Sequence, residues 1–372
     1  MEDGKRVLHH TLIEWTRKLL ETAGFDNAQG ARFVEALIWS DLVGRSTHGV
    51  WRLPAYLARL EAKLIKCPCN PTLSSDRQAV AVMDGDQGLG HFVGYEAMSC
   101  AIGKAEKFGI GAVGVHNSNH FGTGAYFVQL AAERNMLGLA FSNSVAKVAA
   151  HGGTKPVFGT NPIAFGAPGR DGKHMLLDMS TSAVCGSQVL KYAEAGLPLP
   201  EGIAVDAMGD TITDARELDN GTLLPFGGAK GYGIALMIEI LSAALTGAAF
   251  STKVNSMFNN FSGSGRNGHF FIAIDLCQMI SPKAFSERLE MLFSMIRGSG
   301  NAAGDVHIPG ETRWALYREN MTRGIPLDAP TLAALERLAL RHGIAALAQS
   351  GSPSPVVMDQ SRAASQAVAR AH

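Results

Sequence analysis

Long apolar runs, paired cysteines and an excess of one charge are all missing from this chain of 372 residues. Its 33 lysines and arginines balance 33 aspartates and glutamates. A neutral chain gives no reason to expect nucleic acid or a membrane surface, since both favour a basic face. Small molecules or other protein chains are the default partners. The longest apolar candidate, Tyr232 to Phe250, carries Glu239 in its middle and is bracketed by glycines. It is too short and too polar to span a bilayer, and reads as a buried helix of a soluble protein. The opening MEDGKRVLHHTL lacks the apolar centre of a secretory signal, so a cytoplasmic location is expected. Five cysteines, with only Cys67 and Cys69 close together, argue against a disulfide framework. One Cys-Pro-Cys without a second pair makes no metal site. A Rossmann fingerprint is also absent: GDQGLGHFVG has glycines at the wrong spacing and no acidic residue about twenty positions on.

What is present alternates in texture. TLIEWTRKLLETAG repeats apolar residues at three- and four-residue spacing and stops at Gly24. Asp26 with Gln29 resembles a capping box for ARFVEALIWSDLVG, and a third helix runs from about Pro54 to Ala62. From about Ala79, short β-like runs alternate with helices. GIGAVGVHNS, GAYFVQLAAERN and LGLAFSNS form the clearest β-α-β unit. Further strands are expected at NPIAFGAP, HMLLDMS, GIAVDAM and GHFFIAID, with helices at TSAVCGSQVLKYAEAG, KGYGIALMIEILSAALTG and SPKAFSERLEMLFSMIRG. The end returns to helices. The expected organisation is a mainly helical domain from residues 1–78 and 300–348 around an α/β domain at 79–299. Residues 349–372, biased to Ser, Ala, Pro and Gln, read as a disordered tail.

Chemistry-bearing residues collect where strands give way to helices, which is where α/β folds gather ligands. His120, in NSNHFGTG, either caps the helix beginning near Gly122 or serves as a base kept neutral by that helix terminus. His48 and Arg52, in STHGVWR, are four apart and share one helical face if the turn is helical. Arginine holds a carboxylate through two parallel hydrogen bonds; the bland alternative is a solvated turn. FGGAKGYGIALM places Lys230 at a glycine-rich helix start suited to a phosphate, or simply to a tight turn. Tyr232 stands where a nucleotide triphosphatase loop needs Ser or Thr. Asp178 ends a strand and Ser180, Thr181 and Ser182 start a helix, either as caps or as groups facing a cofactor. His116, His120 and His151 are the rival metal reading, weakened because His116 sits on a strand and no carboxylate-rich surroundings are visible. No metal is therefore assigned. A non-catalytic binding protein is the other rival, disfavoured by the many polar residues at strand-to-helix junctions.

STHGVWRLPAYLARL, NSNHFGTGAYF, GTNPIAFGAP, LDMSTSAV, LPFGGAKGYGIALM and HIPGE follow one another in the order of a known family. From about Leu12 to Leu338 the chain resembles the malate/L-lactate dehydrogenase family of the non-Rossmann type. That group includes sulfolactate, ureidoglycolate and diketogulonate dehydrogenases and piperideine-2-carboxylate reductases. The resemblance implies a non-Rossmann NAD(P)-binding α/β fold: a central mixed sheet for the cofactor, and a helical domain for substrate and dimerisation. It implies a homodimeric oxidoreductase that uses NAD or NADP at C2 of a small 2-hydroxy or 2-oxo acid. His120 would be the acid/base. His48, Arg52, Ser144 and Arg266 would meet the substrate, with Arg52 on its carboxylate. Asp178, Met179, Ser180, Lys230, Gly310, Glu311 and Thr312 would meet the cofactor. Thr47 departs from the serine usual before the histidine, and Lys147 and His151 add cations in VAKVAAHGG. The alternative within the family is a reductase of a cyclic imine carboxylate; Phe121 and Gly122 after the histidine lean toward hydroxy acids.

Overall fold

The computed structural model describes residues 5–25, 28–300 and 306–347. Asp26, the expected cap, and the tail from 349 onward lie outside the described residues. A seven-stranded mixed sheet forms the centre, in the order Thr72–Arg77, Val80–Asp84, Ile110–Ser118, Asn267–Asp275, Met136–Ser142, Ile163–Ala167, Met175–Met179. One pair is parallel, Val80–Asp84 with Ile110–Ser118, and every other neighbour is antiparallel. The expected β-α-β unit is present, but its two strands do not touch. Asn267–Asp275 enters between them, antiparallel to both. Nothing near residue 110 could reveal that, since the inserted strand comes about 150 positions later.

Alternation along the strands decides which face meets which helix. Val113 and Phe271 are paired and fully buried under the Gly90–Phe108 and Gly124–Ala132 helices. Their other neighbours, Gly114 and Phe270, face the opposite side, where Thr246 follows the Ala229–Glu239 helix and its π turn at Ile240–Ala244. Burying a side chain the size of Phe271 contributes about 1.5–3 kcal/mol. A second apolar cluster joins both chain ends: Leu12, Leu19, Phe33, Leu37, Leu53 and Leu57 pack with Ile325, Leu335 and Leu338. The strand Lys5–Val7 pairs with Ile325–Leu327, and Trp15 donates to the Ala345 carbonyl. A third cluster lies under a small sheet ordered Ala204–Val205, Thr222–Leu223, Val148–Ala149, Pro156–Phe158. Only two residues of GIAVDAM are strand, and they belong to this small sheet.

The third helix lies where expected, at Leu53–Glu61 with Pro54 in its first turn. Two local expectations change. Ser180, Thr181 and Ser182 cap no helix, because the next one starts at Gly186 with Cys185 at its cap position. The Tyr232–Phe250 segment is not buried all round: Leu236, Met237, Ile240 and Leu245 are exposed by 38%, 40%, 51% and 60%. Glu239 is tolerated there because its carboxylate is buried and used, accepting from Asn161 Nδ2 at 2.6 Å and Ser251 N at 2.9 Å. No helix of the described residues is long and apolar enough to cross a membrane.

Candidate active site

One edge of the central sheet collects the candidates. The strands ending at Ser118, Ser142 and Met179 and those beginning at Ile163 and Asn267 all open on it, as their register shows. Three asparagines tie the loops of this edge together, each buried and each just beyond a strand end or before a strand start. Asn119 donates to the Gln87 and Gly88 carbonyls and accepts from Gly265 N. Asn143 accepts from Gly268 N and donates to the Ala249 carbonyl. Asn161 accepts from Ser144 N and holds Glu239. Such buried amides fix backbone groups that would otherwise be left without partners.

His120 is half-buried at this edge. It does not cap the following helix, which begins at Gly124 behind Thr123. Its Nδ1 faces Tyr56 Oη at 2.6 Å and accepts from Gly122 N at 3.3 Å. Gly122 has φ +81°, and a Cβ there would meet His91 Nε2 at 2.4 Å, so glycine is required on both counts. Loss of hydration, then the Arg52 charge, holds the His120 pKa well below the ordinary histidine value. The ring is neutral at pH 7.

His48 and Arg52 are not on one α-helical face. Two short 3₁₀ turns carry them, Ser46–His48 and Val50–Arg52, broken at Gly49. Asp41 explains the break. Its buried carboxylate accepts from Val50 N at 2.9 Å, and a Cβ on Gly49 would lie 1.9 Å from Asp41 Oδ1. The turn nonetheless brings the predicted groups together: the His48 and His120 rings stack with centroids 5.7 Å apart. Desolvation and then Arg52 also push His48 well below its usual pKa. Arg52 Nε donates to the Thr47 carbonyl at 2.5 Å, and Nη1 meets the Met257 sulfur at 3.1 Å. Its guanidinium lies 5.0 Å from the Phe258 ring centroid. Nη2 donates to nothing among the described residues, and no carboxylate there pairs with Arg52. A thioether is a weak acceptor, so much of this fork is open to an anion.

Of the other candidates, Ser144, Arg266, Met179 and Ser180 share the edge without touching His120, whereas Gly310 lies toward the other end of the Met175–Met179 strand. Ser144 Oγ accepts from Thr160 N at 2.9 Å. Arg266 is exposed, at φ +59°, immediately before Asn267. Asp178 turns its carboxylate to the first turn of the Gly124–Ala132 helix, accepting from Ala125 N at 3.1 Å, with Arg313 Nη2 at 3.8 Å. It caps a helix other than the one expected. Met179 pairs with Ile163, and Ser180 Oγ accepts from Ser182 Oγ at 3.1 Å. Phe226 N donates to the Thr181 carbonyl, which brings the Gly227–Gly228 turn alongside. That turn has φ +58° and +61° and leads to exposed Lys230, which has no ionic partner among the described residues. Gly310 lies against the backbone of His174 and Leu176; Glu311 pairs with Arg297 at 2.6 Å and Thr312 is exposed. The two groups of segments share one electrostatic neighbourhood: Cys185 acts on Arg52, and Arg313 on His48.

The sequence reading missed several members. His269 is fully buried behind the site. Its Nε2 donates to the Asn119 carbonyl at 3.2 Å, and its Nδ1 lies 2.9 Å from Ser142 Oγ, so it joins the two loops. Its ring stacks on Phe121 at 4.8 Å, and burial lowers its pKa to about 3. Tyr56, His91, Arg59 and Asp41 were also missed. The asparagines alone carried a readable signal, polar residues recurring at strand ends. His116 and His151 form no metal centre with His120: among the described residues no three His, Cys, Asp or Glu side chains could hold an ion.

The sequence profile of the malate/L-lactate dehydrogenase family matches residues 7–336. The L-sulfolactate dehydrogenase of Methanothermobacter thermautotrophicus is 38% identical over 293 residues, covering 79% of this chain and 84% of its own. The solved structure of the malate dehydrogenase from Pyrococcus horikoshii superposes with a TM-score of 0.86 at 32% identity, covering 93% of this chain and 98% of that one. That of the Δ1-piperideine-2-carboxylate reductase from Pseudomonas syringae gives 0.82 at 30%, covering 90% and 100%. Profile, sequence relatives and fold converge, and the chain belongs to the malate/L-lactate dehydrogenase family of oxidoreductases.

Proposed function

We propose that the chain is an NAD- or NADP-dependent dehydrogenase acting at C2 of a small 2-hydroxy or 2-oxo acid. The observation that carries the reading is the convergence of a neutral His120, a stacked His48 and an Arg52 with no carboxylate partner on one sheet edge. Arg52 holds the substrate carboxylate through its open nitrogens. His48 offers a ring N–H to a substrate oxygen, its Nδ1 being engaged by Thr47 Oγ1 at 3.1 Å. His120 takes the hydroxyl proton in oxidation and returns it in reduction. Placing that proton partner beside a fixed carboxylate supplies the orientation that a bimolecular encounter lacks.

The donor set fits a dinucleotide. A Cβ on Gly227 would meet nothing within 4 Å, so the turn leaves room for a phosphate before a helix terminus and the Lys230 ammonium. Buried Arg313 Nη1 has no partner among the described residues. Met179, Ser180, Lys230, Gly310 and Thr312 would hold the cofactor, with Asp178 and Glu311 acting through Arg313 and Arg297. The bound nicotinamide supplies the hydride acceptor or donor. A homodimer suits the apolar groups exposed along the Ala229–Glu239 helix. The deciding experiment is a panel of 2-oxo acids and cyclic imine carboxylates, each assayed with NADH and NADPH. Turnover of an oxo acid supports the reading. Turnover of cyclic imines alone would replace it with a reductase of the kind named in Pseudomonas relatives.

A further inference from the structure

The partners of His120 Nδ1 are unequal in kind. Gly122 N–H can only donate, so on its own it fixes the ring with a lone pair on Nδ1 and the proton on Nε2. A ring in that state presents a donor to the pocket and cannot accept a proton at Nε2. To act as a base there, it must carry its hydrogen on Nδ1 and find an acceptor for it. Catalytic histidines often use a carboxylate for this purpose. None is in place here among the described residues. The groups bearing on His120 are Arg52 and His48 from the two 3₁₀ turns, His91 from the Gly90–Phe108 helix and His269 from the inserted strand. The remaining one is Tyr56, whose Oη lies 2.6 Å from Nδ1.

Tyr56 is 1% exposed, on the Leu53–Glu61 helix. Its ring is wedged edge-on between Phe33 and His91, at 5.0 and 5.1 Å. Its hydroxyl has no second partner among the described residues, so it is free to turn. We infer that Tyr56 is a positioning residue whose hydroxyl follows the Nδ1 proton, donating when Nε2 is protonated and accepting when Nδ1 is, so that His120 can change roles. When the substrate O–H breaks and the N–H forms at Nε2, the resulting imidazolium keeps Nδ1–H on Tyr56 Oη. When Nε2 carries the proton of a neutral ring, the hydroxyl turns and donates. Burial raises the tyrosine pKa, so the group remains a hydroxyl throughout. His91 has no partner for either ring nitrogen among the described residues and is held at about 3, which keeps the floor of the site uncharged.

This inference rests on His120 being the proton partner, and Tyr56→Phe tests it separately. The phenyl ring preserves the contacts to Phe33 and His91. In the apo protein, ¹⁵N NMR of the His120 ring should show Nδ1 losing a strong hydrogen bond, with the ring held in the Nε2–H form and titrating at lower pH. In turnover, kcat should fall by roughly 10–10²-fold, the lower part of what positioned proton transfer contributes, with the substrate KM within about twofold. In the wild-type protein, the same spectra should show Nδ1 strongly hydrogen-bonded at neutral pH, a readout that needs no variant to fold. An unchanged kcat, tautomer and titration in Tyr56→Phe would overturn the role of Tyr56 while a dead His120→Asn left the proposed function standing. An active His120→Asn would instead remove the reading beneath both.

Discussion

Arg52 and Arg59 leave neighbouring turns of the same short helical stretch, and both reach the 254–265 loop, yet their surroundings are opposite. Arg59 is 1% exposed and donates to three carbonyls of that loop, Ser256, Asn260 and Gly263, the last at 2.7 Å. Arg52 meets one carbonyl and a thioether, and keeps a nitrogen without a partner among the described residues. A buried guanidinium whose donors are satisfied belongs to the scaffold. One left half satisfied beside a neutral imidazole is held in reserve for an anion. The histidines divide the same way. His269 bridges two loops and is sealed. His120 keeps Nε2 for whatever enters the pocket.

The largest effect should come from the open imidazole. His120→Asn keeps a polar group of similar reach but removes the proton partner. Its kcat should fall by about 10²–10⁴-fold while cofactor binding, followed by fluorescence titration, stays near wild type. Turnover within a fewfold of wild type would erase the distinction between His120 and His269. Arg52→Lys comes next. A point charge cannot reproduce the fork, and losing a charge-assisted hydrogen bond of about 1.5–3 kcal/mol raises the substrate KM roughly 10–100-fold. An unchanged KM would assign the carboxylate to Arg266 instead.

Arg59→Lys sharpens the comparison at smaller scale. Lysine reaches one or two of the three carbonyls and leaves the rest buried without a donor. The Tm should drop by several degrees, and KM should rise only a fewfold, as Met257 and Phe258 lose their fixed place over Arg52. A large KM change with full stability would make Arg59 a ligand group and merge the two classes.

The split between open and sealed groups also explains what the sequence reveals. The local patterns around His120, His48 and Arg52 left a bland reading open, and it is the resemblance of their motifs to a family that marks them as candidates, whereas the ends of strands 110–118, 136–142 and 175–179 were legible from their apolar alternation. Asp41 was not: its effect is on a turn nine residues away, and its only printed sign is Gly49. Arg59 and His269 were hidden because their partners lie about 130 to 200 positions distant, and a lone arginine or histidine in an apolar stretch carries no mark of what it will meet. Asp178 was half legible. A strand-end acid beside serines signals a cap, but the helix it serves was set by the sheet order, which local periodicity does not encode.

The smallest effect concerns the buried acid that shapes the turn. Desolvation raises the Asp41 pKa from the ordinary 3.8 to about 8, with the Val50 N–H only partly offsetting it. A group whose folded pKa is raised contributes full stability below its unfolded value and loses it as pH rises through the folded one. Asp41 therefore weakens the fold progressively from about pH 4 to 8. His91 and His269 act from the other side. Both are held at about 3, so they favour the fold above their ordinary 6.5, and that contribution disappears as pH falls from 6.5 toward 3. The two windows overlap from about pH 4 to 6.5, where two histidines outweigh one carboxylate, so thermal stability should peak near pH 6.5. Asp41→Asn keeps an acceptor for Val50 N–H and removes the ionisation, so Tm should climb more steeply with pH up to about 6.5 and no longer fall above it. It should lift the alkaline limb by a few degrees and move the maximum upward, with kcat at neutral pH little changed. A maximum that stays in place would mean that the Asp41 carboxylate is ionised in the fold, and the turn would then belong to the open half of the comparison.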